Sequence, residues 1–318
     1  MADPAPPRTA GETVVVTAAD EAFAAPGALA LLSAATSLPE PPPCLFLGVG
    51  LAPATVARIE RVFAAVRISL EVVDVDSGSL RGVALPPGLP EAAYARLDLA
   101  SAARKIAPRS LYVDADTLTT TSLAALLDVD LGGAPFAAVR DSAIPSVSHR
   151  LGVGGWQRLG LSPDAPVFNS GVMLADNRLW AEEGVGRRAL AELREHPGDT
   201  TTWDQGALNA VGAGRWLELD ARWNVQVRNS FELPIGSRSL ARGGLRPTIP
   251  GGILHFTGRI KPWHRGYPPN PARRLYLQAW RLLLAEAFTE PPSLGVAAWV
   301  VERSSGRLPE RAVKPVRR

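Results

Sequence analysis

Among its 318 residues the chain has one cysteine, two methionines and four histidines. A lone thiol excludes an intrachain disulfide framework. Cys44, in the apolar run Cys44-Leu45-Phe46-Leu47, reads as a buried strand residue in a reducing compartment. No apolar run approaches the roughly 20 residues of a membrane span. The opening MADPAPPRTAGE lacks the basic start and apolar middle of a secretory leader, so the expected location is cytoplasmic. There is no internal repeat and no excess of one charge sign over the body. The net charge of +3 is concentrated at the end: from Arg303 onward six basic residues (Arg303, Arg307, Arg311, Lys314, Arg317, Arg318) face one acid, Glu310. That leaves residues 1–302 at about −2, which argues against a nucleic-acid-binding face.

With 46% hydrophobic and 20% charged residues, the chain has an ordinary globular composition and is long enough to bury a full core. The Pro- and Ala-rich residues 1–11 are expected to be disordered, residues 12–289 to form one domain, and residues 290–318 to be a basic tail. Within the domain, strands at Val14–Thr17, Cys44–Val49, Ile68–Val75 and up to Asp114 alternate with helices over about 26–37, 52–66 and 91–106. Such alternation predicts an α/β fold, Rossmann-like, with a mostly parallel central sheet covered on both faces. Further on come a short helix near 121–127, a strand at 135–140 and an irregular stretch from 141 to 166, of a length that is usually functional or mobile. A strand at Val167–Ala175, helices at 177–194 and 204–212, a strand at 253–256 and a helix at 271–287 complete the prediction.

Three Asp-x-Asp triplets occur: Asp74-Val75-Asp76, Asp114-Ala115-Asp116 and Asp128-Val129-Asp130. The first runs into Ser77-Gly78 and the third into Leu131-Gly132-Gly133, so both read as turns. Only Asp114 and Asp116 end a strand that follows a long helix inside an α/β unit, the place where open sheets bind ligands. Period-two alternation would put both carboxylates on one side, able to hold one divalent cation. His255 offers a nitrogen ligand, and Lys261, in Lys261-Pro262-Trp263-His264, a positive charge for a phosphate. The combination points to a site for a nucleotide-diphosphate sugar. A rival signal, Gly48-Val49-Gly50 with Asp74 downstream, imitates a dinucleotide fingerprint. It lacks the third glycine, with Pro53 in its place, and follows the second strand rather than the first.

The residues Ala18-Ala19-Asp20-Glu21, Tyr94-Ala95-Arg96-Leu97, Leu111-Tyr112-Val113-Asp114-Ala115-Asp116, Phe168-Asn169-Ser170-Gly171, Asp204-Gln205-Gly206-Ala207-Leu208-Asn209 and His255-Phe256-Thr257-Gly258 occur in this order. With Lys261-Pro262-Trp263-His264, they resemble glycosyltransferase family 8, the retaining group that contains lipopolysaccharide galactosyl- and glucosyltransferases and glycogenin. The resemblance runs from about Val14 to His264. It implies a GT-A type domain with Asp114, Asp116 and His255 as manganese ligands, the ion bridging the diphosphate of a UDP-sugar. Gly258 and Lys261 match diphosphate contacts, Asp20 the acid at the uracil, and Phe23 the aromatic that stacks on the base. Ala22 departs from the polar residue often found there. Arg96, Asn169, Asp204 and Gln205 match residues around the transferred sugar, Ala18, Ala115 and Ser170 are counted with the donor-binding residues, and Gln205, Asp204 and Lys261 are the catalytic candidates.

The function implied is transfer of a hexose, glucose or galactose, from UDP to a hydroxyl acceptor with retention. The alternative is a nucleotide-sugar-binding protein that turns over weakly. Because Gln205 is a poor nucleophile, front-face substitution is expected over double displacement, with Asp204 as the alternative nucleophile. The acceptor (a glycolipid, glycan or small molecule) is expected over residues 142–166 and 78–93. Apolar residues around Trp280, Phe288 and Trp299 followed by the basic tail suggest peripheral docking on an anionic membrane, against a solvated tail.

Overall fold

The computed structural model describes residues 10–76, 78, 82–83, 91–199, 202–227 and 251–288. The expected basic tail and most of the segment 78–93 lie outside these residues, as do residues 1–9. Residues 10 and 11, expected to be disordered, belong to a 3-10 turn, Ala10–Glu12, that leads into the first strand.

The elements follow the predicted alternation. Strand β1 (Thr13–Asp20) leads to helix α1 (Ala24–Ala35), then β2 (Cys44–Val49), α2 (Pro53–Ala65) and β3 (Leu70–Asp74). The predicted helix over 91–106 is broken into α3 (Ala92–Ala95), a 3-10 turn Arg96–Asp98 and α4 (Leu99–Ala103). Next come β4 (Arg109–Val113), β5 (Thr117–Thr119), α5 (Ala124–Leu127), β6 (Phe136–Arg140) and β7 (Phe168–Asp176). The single helix predicted over 177–194 is two, α6 (Asn177–Glu182) and α7 (Val185–Glu195), because Gly184 turns left-handed at φ 60°. Glycine carries that conformation without the Cβ clash other residues meet, and it ends helices for that reason. The remaining elements are α8 (Trp203–Gly212), β8 (Trp216–Glu218), β9 (Val225–Gln226), β10 (Ile253–His255) and α9 (Pro271–Leu283).

Seven strands form one sheet in the order β3-β2-β1-β4-β7-β6-β8. Its β3-β2-β1-β4 half is parallel, β7 runs antiparallel to both β4 and β6, and β8 is parallel to β6. Parallel strands need both faces covered, and two clusters do this. On one face pack α1, α2 and α9. On the other pack the α3–α4 region and α6 to α8. Helix α1 is buried along its entire length. Its composition of Ala, Gly and Leu lets it lie close to the sheet, with Gly27 against the Phe46 ring. Each fully buried leucine there stabilises by roughly 1.5–3 kcal/mol.

A second, three-stranded sheet, β5-β10-β9, pairs β10 antiparallel to β5 and parallel to β9. Its register sets His255 opposite Thr117, one residue beyond Asp116. The irregular stretch 141–166 folds around a small apolar core of Ile144, Val147 and Val153 with Val167 and Ala210. It is tied to residue 199 by the Gly154 N–H to Asp199 carbonyl bond at 2.8 Å. Gly186 at the start of α7 sits on the carbonyl of Leu97, where a Cβ would stand 1.7 Å away, so α7 packs directly on the turn that carries Arg96.

Candidate active site

Strand β4 ends at Val113, and Asp114 to Asp116 form a turn closed by the Thr117 N–H to Asp114 carbonyl bond at 3.1 Å. The expected strand alternation is therefore not what brings the two carboxylates together. The chain leaves the main sheet here to pair β5 with β10, and the bend does the work. His255, at the end of β10, closes the cluster: its Nε2 lies 3.2 Å from Asp116 Oδ1 and 3.5 Å from Asp114 Oδ2.

One ligand atom from each of Asp114, Asp116 and His255 lies within 4.8 Å of the others. Asp116 Oδ1 is buried and faces His255 Nε2 at 3.2 Å, so two potential ligand atoms meet at one point. Two carboxylates and one imidazole suit a divalent transition metal. Gly171 in β7 makes room, since a Cβ there would stand 2.7 Å from Asp114 Oδ2. Lys261 Nζ lies 2.5 Å from Asp116 Oδ2 and donates to the Phe256 carbonyl at 2.9 Å. Burial alone would raise the Asp116 carboxyl, but Lys261 and then His255 hold it well below the usual range.

Arg96 stands on the other side of Asp114. It pairs with Asp114 Oδ1 at 2.8 Å and Asp204 Oδ2 at 3.0 Å, and donates to the carbonyl and hydroxyl of Ser170 at 3.0 and 3.1 Å. Its guanidinium also lies over the Tyr112 ring, whose hydroxyl donates to Asp114 Oδ1 at 2.9 Å. Asp204 stands in the first turn of α8, whose opening residue, Trp203, is a non-glycine at φ 55°, a strained conformation of a kind that clusters at functional sites. Burial pushes the Asp204 carboxyl up to about 6, against the lowering pull of Arg96.

Gln205 faces the same space. Its Oε1 accepts from Asn169 Nδ2 at 3.1 Å and Ser170 N at 3.3 Å, and its Nε2 donates to Asp141 Oδ2 at 3.0 Å. Arg96, Asp114, Asp116, Asn169, Ser170, Asp204, Gln205, His255 and Lys261 are thus brought into one continuous set of contacts. Asp20 and Phe23 lie at the end of β1. Asp20 accepts from the Phe23 N–H at 3.1 Å, burial raises its carboxyl, and the Phe23 ring stands edge-on to Trp263 at 5.5 Å. Ala18 in β1 and Ala115 in the turn are buried, and Gly258 is half-buried in the bend between His255 and Lys261.

The other Asp-x-Asp triplets are turns, as expected: Asp76 accepts from the Gly78 N–H at 2.8 Å and Asp130 from the Gly132 N–H at 3.0 Å. The dinucleotide-like segment is ruled out by its own geometry. The N-terminus of α2, where a pyrophosphate would sit, is capped by the Glu21 carboxylate through Ala52 N at 2.9 Å and Thr55 Oγ1 at 2.6 Å. Sequence reasoning missed Tyr112 as a partner of Asp114, and also Asp141, Asn224 and Gln226. Asn224 lies 2.9 Å from His255 Nδ1, and Gln226 accepts from Ser142 and donates to the Arg140 carbonyl. Tyr112 sits inside a quoted motif. The other three stand in segments with no periodicity or motif to mark them.

A seven-stranded, mostly parallel α/β sheet of this kind is the fold of GT-A type glycosyltransferases such as LgtC. The crystal structure of galactosyltransferase LgtC, solved with donor and acceptor sugar analogs, has a TM-score of 0.69, covering 86% of this chain and 100% of that one at 24% identity. The bifunctional glycosyltransferase WbbM matches with a TM-score of 0.67 over 90% and 53% at 18% identity. At these identities the likeness is one of fold. The model of the family described as Glycosyl transferase family 8 matches residues 14–266, and the chain belongs to that family. Relatives include General stress protein A of Bacillus subtilis, 27% identical over 219 residues (68% of this chain, 74% of that protein). Lipopolysaccharide glucosyltransferase WaaO of Escherichia coli is 26% identical over 225 residues (67% and 60%), and Glycosyltransferase GlyB of Streptococcus pneumoniae 31% over 163 (49% and 34%). The matched region thus spans only part of the longer relatives.

Proposed function

We propose that this protein transfers a hexose, glucose or galactose, from a UDP-sugar to a hydroxyl acceptor with retention of configuration, and that it depends on Mn²⁺. The observation that carries this is the convergence of Asp114, Asp116 and His255 on one point, with the buried Asp116 Oδ1 facing the imidazole Nε2 at 3.2 Å. These three residues would hold the ion. The chemistry it supplies when bound is neutralisation of the charge on a diphosphate leaving group. Lys261, the neighbour of Asp116 on the opposite side from the imidazole, adds a point charge for the same phosphates.

Around the sugar, Arg96 and Asp204 form a buried ion pair, and Gln205 presents a neutral amide held on both sides. A carboxylate already paired with a guanidinium at 3.0 Å is a poor nucleophile, which favours front-face substitution with Gln205 orienting the sugar and Asp204 serving with Arg96. Of the donor residues assigned from the resemblance, Asp20 at the end of β1 and Asn169 near the start of the antiparallel β7 stand at the end of the main sheet where β4 leads into Asp114. Lipopolysaccharide transferases among the relatives favour a glycan or glycolipid acceptor. No described helix is long and apolar enough to cross a membrane. The basic tail is proposed, on composition alone, to provide peripheral contact with an anionic surface, to be tested by vesicle co-sedimentation of full-length and Glu290-terminated chains. A screen of UDP-glucose, UDP-galactose and UDP-N-acetylglucosamine for UDP release with Mn²⁺, followed by NMR of the product anomer, tests the function. A β product from an α donor would overturn retention.

A further inference from the structure

The amide groups behind the acidic cluster have only one consistent orientation, and it decides which nitrogen of His255 carries the proton. A backbone N–H only donates. Gly171 N lies 3.1 Å from one amide terminus of Asn169, which is therefore the oxygen. The Asn169 nitrogen faces Asp141 Oδ2 at 3.2 Å and Gln205 Oε1 at 3.1 Å. Asp141 is itself fixed as an acceptor, since its Oδ1 takes the N–H groups of Ala143 and Ile144 at 2.8 and 3.1 Å. The Asn224 amide atom 2.9 Å from Asn169 Oδ1 must then be nitrogen. Its oxygen is left 2.9 Å from His255 Nδ1. An acceptor at that distance requires a proton on Nδ1. In the neutral ring the lone pair is then on Nε2, the atom that faces Asp114 and Asp116.

We propose that Asn224 is a positioning residue that holds His255 in the Nδ1–H tautomer, so that Nε2 is presented as a ligand before any ion arrives. Asn224 is 2% exposed and closes the turn Ala221–Asn224 directly before β9, the strand that pairs with β10 beside His255. The chain of amides gives it a fixed direction: Asp141 and the Gly171 N–H orient Asn169, Asn169 orients Asn224, and Asn224 orients the imidazole. The same Asp141 oxygen accepts from Gln205 Nε2, so one carboxylate sets the direction of both the sugar-facing amide and the metal-facing ring. A partner of this kind on a ligating histidine typically changes metal affinity about 10- to 100-fold. The consequence for metal binding rests on the ligand role proposed for His255, but the tautomer does not.

The test uses the full-length chain, metal-free, with ¹⁵N-labelled histidine at pH 8. Long-range ¹H–¹⁵N spectra, with His255 assigned through His255→Gln, should show Nδ1 protonated in wild type. Asn224→Leu, close in size but unable to accept, should move the ring toward the Nε2–H form favoured in water and weaken Mn²⁺ binding, read by EPR, about 10- to 100-fold. Asn224→Asp keeps an acceptor for Nδ1–H, while giving up the N–H to Asn169 Oδ1, and should retain the Nδ1–H form of the ring. A wild-type ring carrying a proton on Nε2, alone or as the imidazolium, or Asn224→Leu binding Mn²⁺ as wild type does, would overturn the proposal. Should Asn224→Leu not fold, wild type and Asn224→Asp still decide it through the tautomer. Wild type failing to bind Mn²⁺ while showing the Nδ1–H form would instead remove the metal assignment and leave the tautomer standing.

Discussion

Gly171 lies so close to His255 that a Cβ on it would stand 2.1 Å from the imidazole Cε1. The absence of a side chain in the middle of β7 is therefore what admits the histidine from the second sheet to the acidic cluster. Its carbonyl meanwhile accepts from the Asp114 N–H at 2.8 Å, so the same residue fixes the backbone of one acid and the ring position of the histidine.

Gly171→Ala is expected to displace His255 with limited damage to the sheet. The overpacking cost should be about 1–3 kcal/mol in chemical denaturation. Mn²⁺ affinity should fall at least about tenfold by EPR titration, because the ring no longer reaches the carboxylates. Wild-type affinity in a folded Gly171→Ala variant would contradict this packing.

Arg96 neutralises two acids at once, the half-buried Asp114 and the buried Asp204. Arg96→Met is expected to cost about 3–5 kcal/mol at neutral pH, the magnitude for an uncompensated buried charge. The loss should shrink toward pH 5, where Asp204, already raised to about 6 with Arg96 present, takes up a proton. Urea unfolding at several pH values reads both effects. Arg96→Lys should rescue only part of the loss, since one ammonium does not reproduce the guanidinium contacts to Asp114, Asp204 and Ser170.

Much of this arrangement is legible in the residues, and the remainder is not for identifiable reasons. Cys44–Val49 is read from its continuous apolar run and observed with the same ends. Asp114, Asp116 and His255 stand out because their types and places in an α/β chain are unusual together. The geometry of the two acids was not legible, because it depends on β5, three residues long, leaving the main sheet. Strands of two or three residues such as β9 show no period. Asp141 and Asn224 act through partners 28 to 64 and 31 to 55 residues away, distances over which sequence pattern is silent. Gly184 divides a helix whose hydrophobic pattern alone looked continuous.

The pH dependence of turnover should carry the signature of Asp204. Its folded carboxyl is raised from 3.8 to about 6, so the group is ionised above that range and protonated below it. Turnover is expected to fall as pH drops through about 6 as the Asp204–Arg96 pair is lost. The sign for stability is opposite: a raised carboxyl contributes stability that is complete below the unfolded value and is lost as pH rises through about 6. Asp204→Asn should therefore gain stability relative to wild type between pH 4 and 7, whatever its constant offset from the altered Arg96 contact. A difference that does not vary with pH over this range would show that Asp204 is not raised.

Lys261 and an ion at the acidic cluster compete for Asp116, which Lys261 holds at 2.5 Å. Removing the ammonium should favour a divalent cation electrostatically while depriving the diphosphate of a partner. Lys261→Met is expected to bind Mn²⁺ as tightly as wild type or several-fold more tightly in the absence of donor, and to lose most UDP release. Weaker Mn²⁺ binding in this variant would mean that Lys261 supports the ligand set rather than competing with it.

The most direct measurement is UDP release from UDP-glucose and UDP-galactose by wild type and Asp116→Asn, with Mn²⁺ and with EDTA. Asp116 supplies a buried carboxylate oxygen 3.2 Å from His255 Nε2, and asparagine keeps the shape while removing the charge. The expected result is release by wild type with Mn²⁺ only, and a loss of at least about 100-fold in Asp116→Asn with an unchanged circular dichroism spectrum. Release undiminished by EDTA, or by the substitution, would contradict a metal-dependent UDP-sugar transferase.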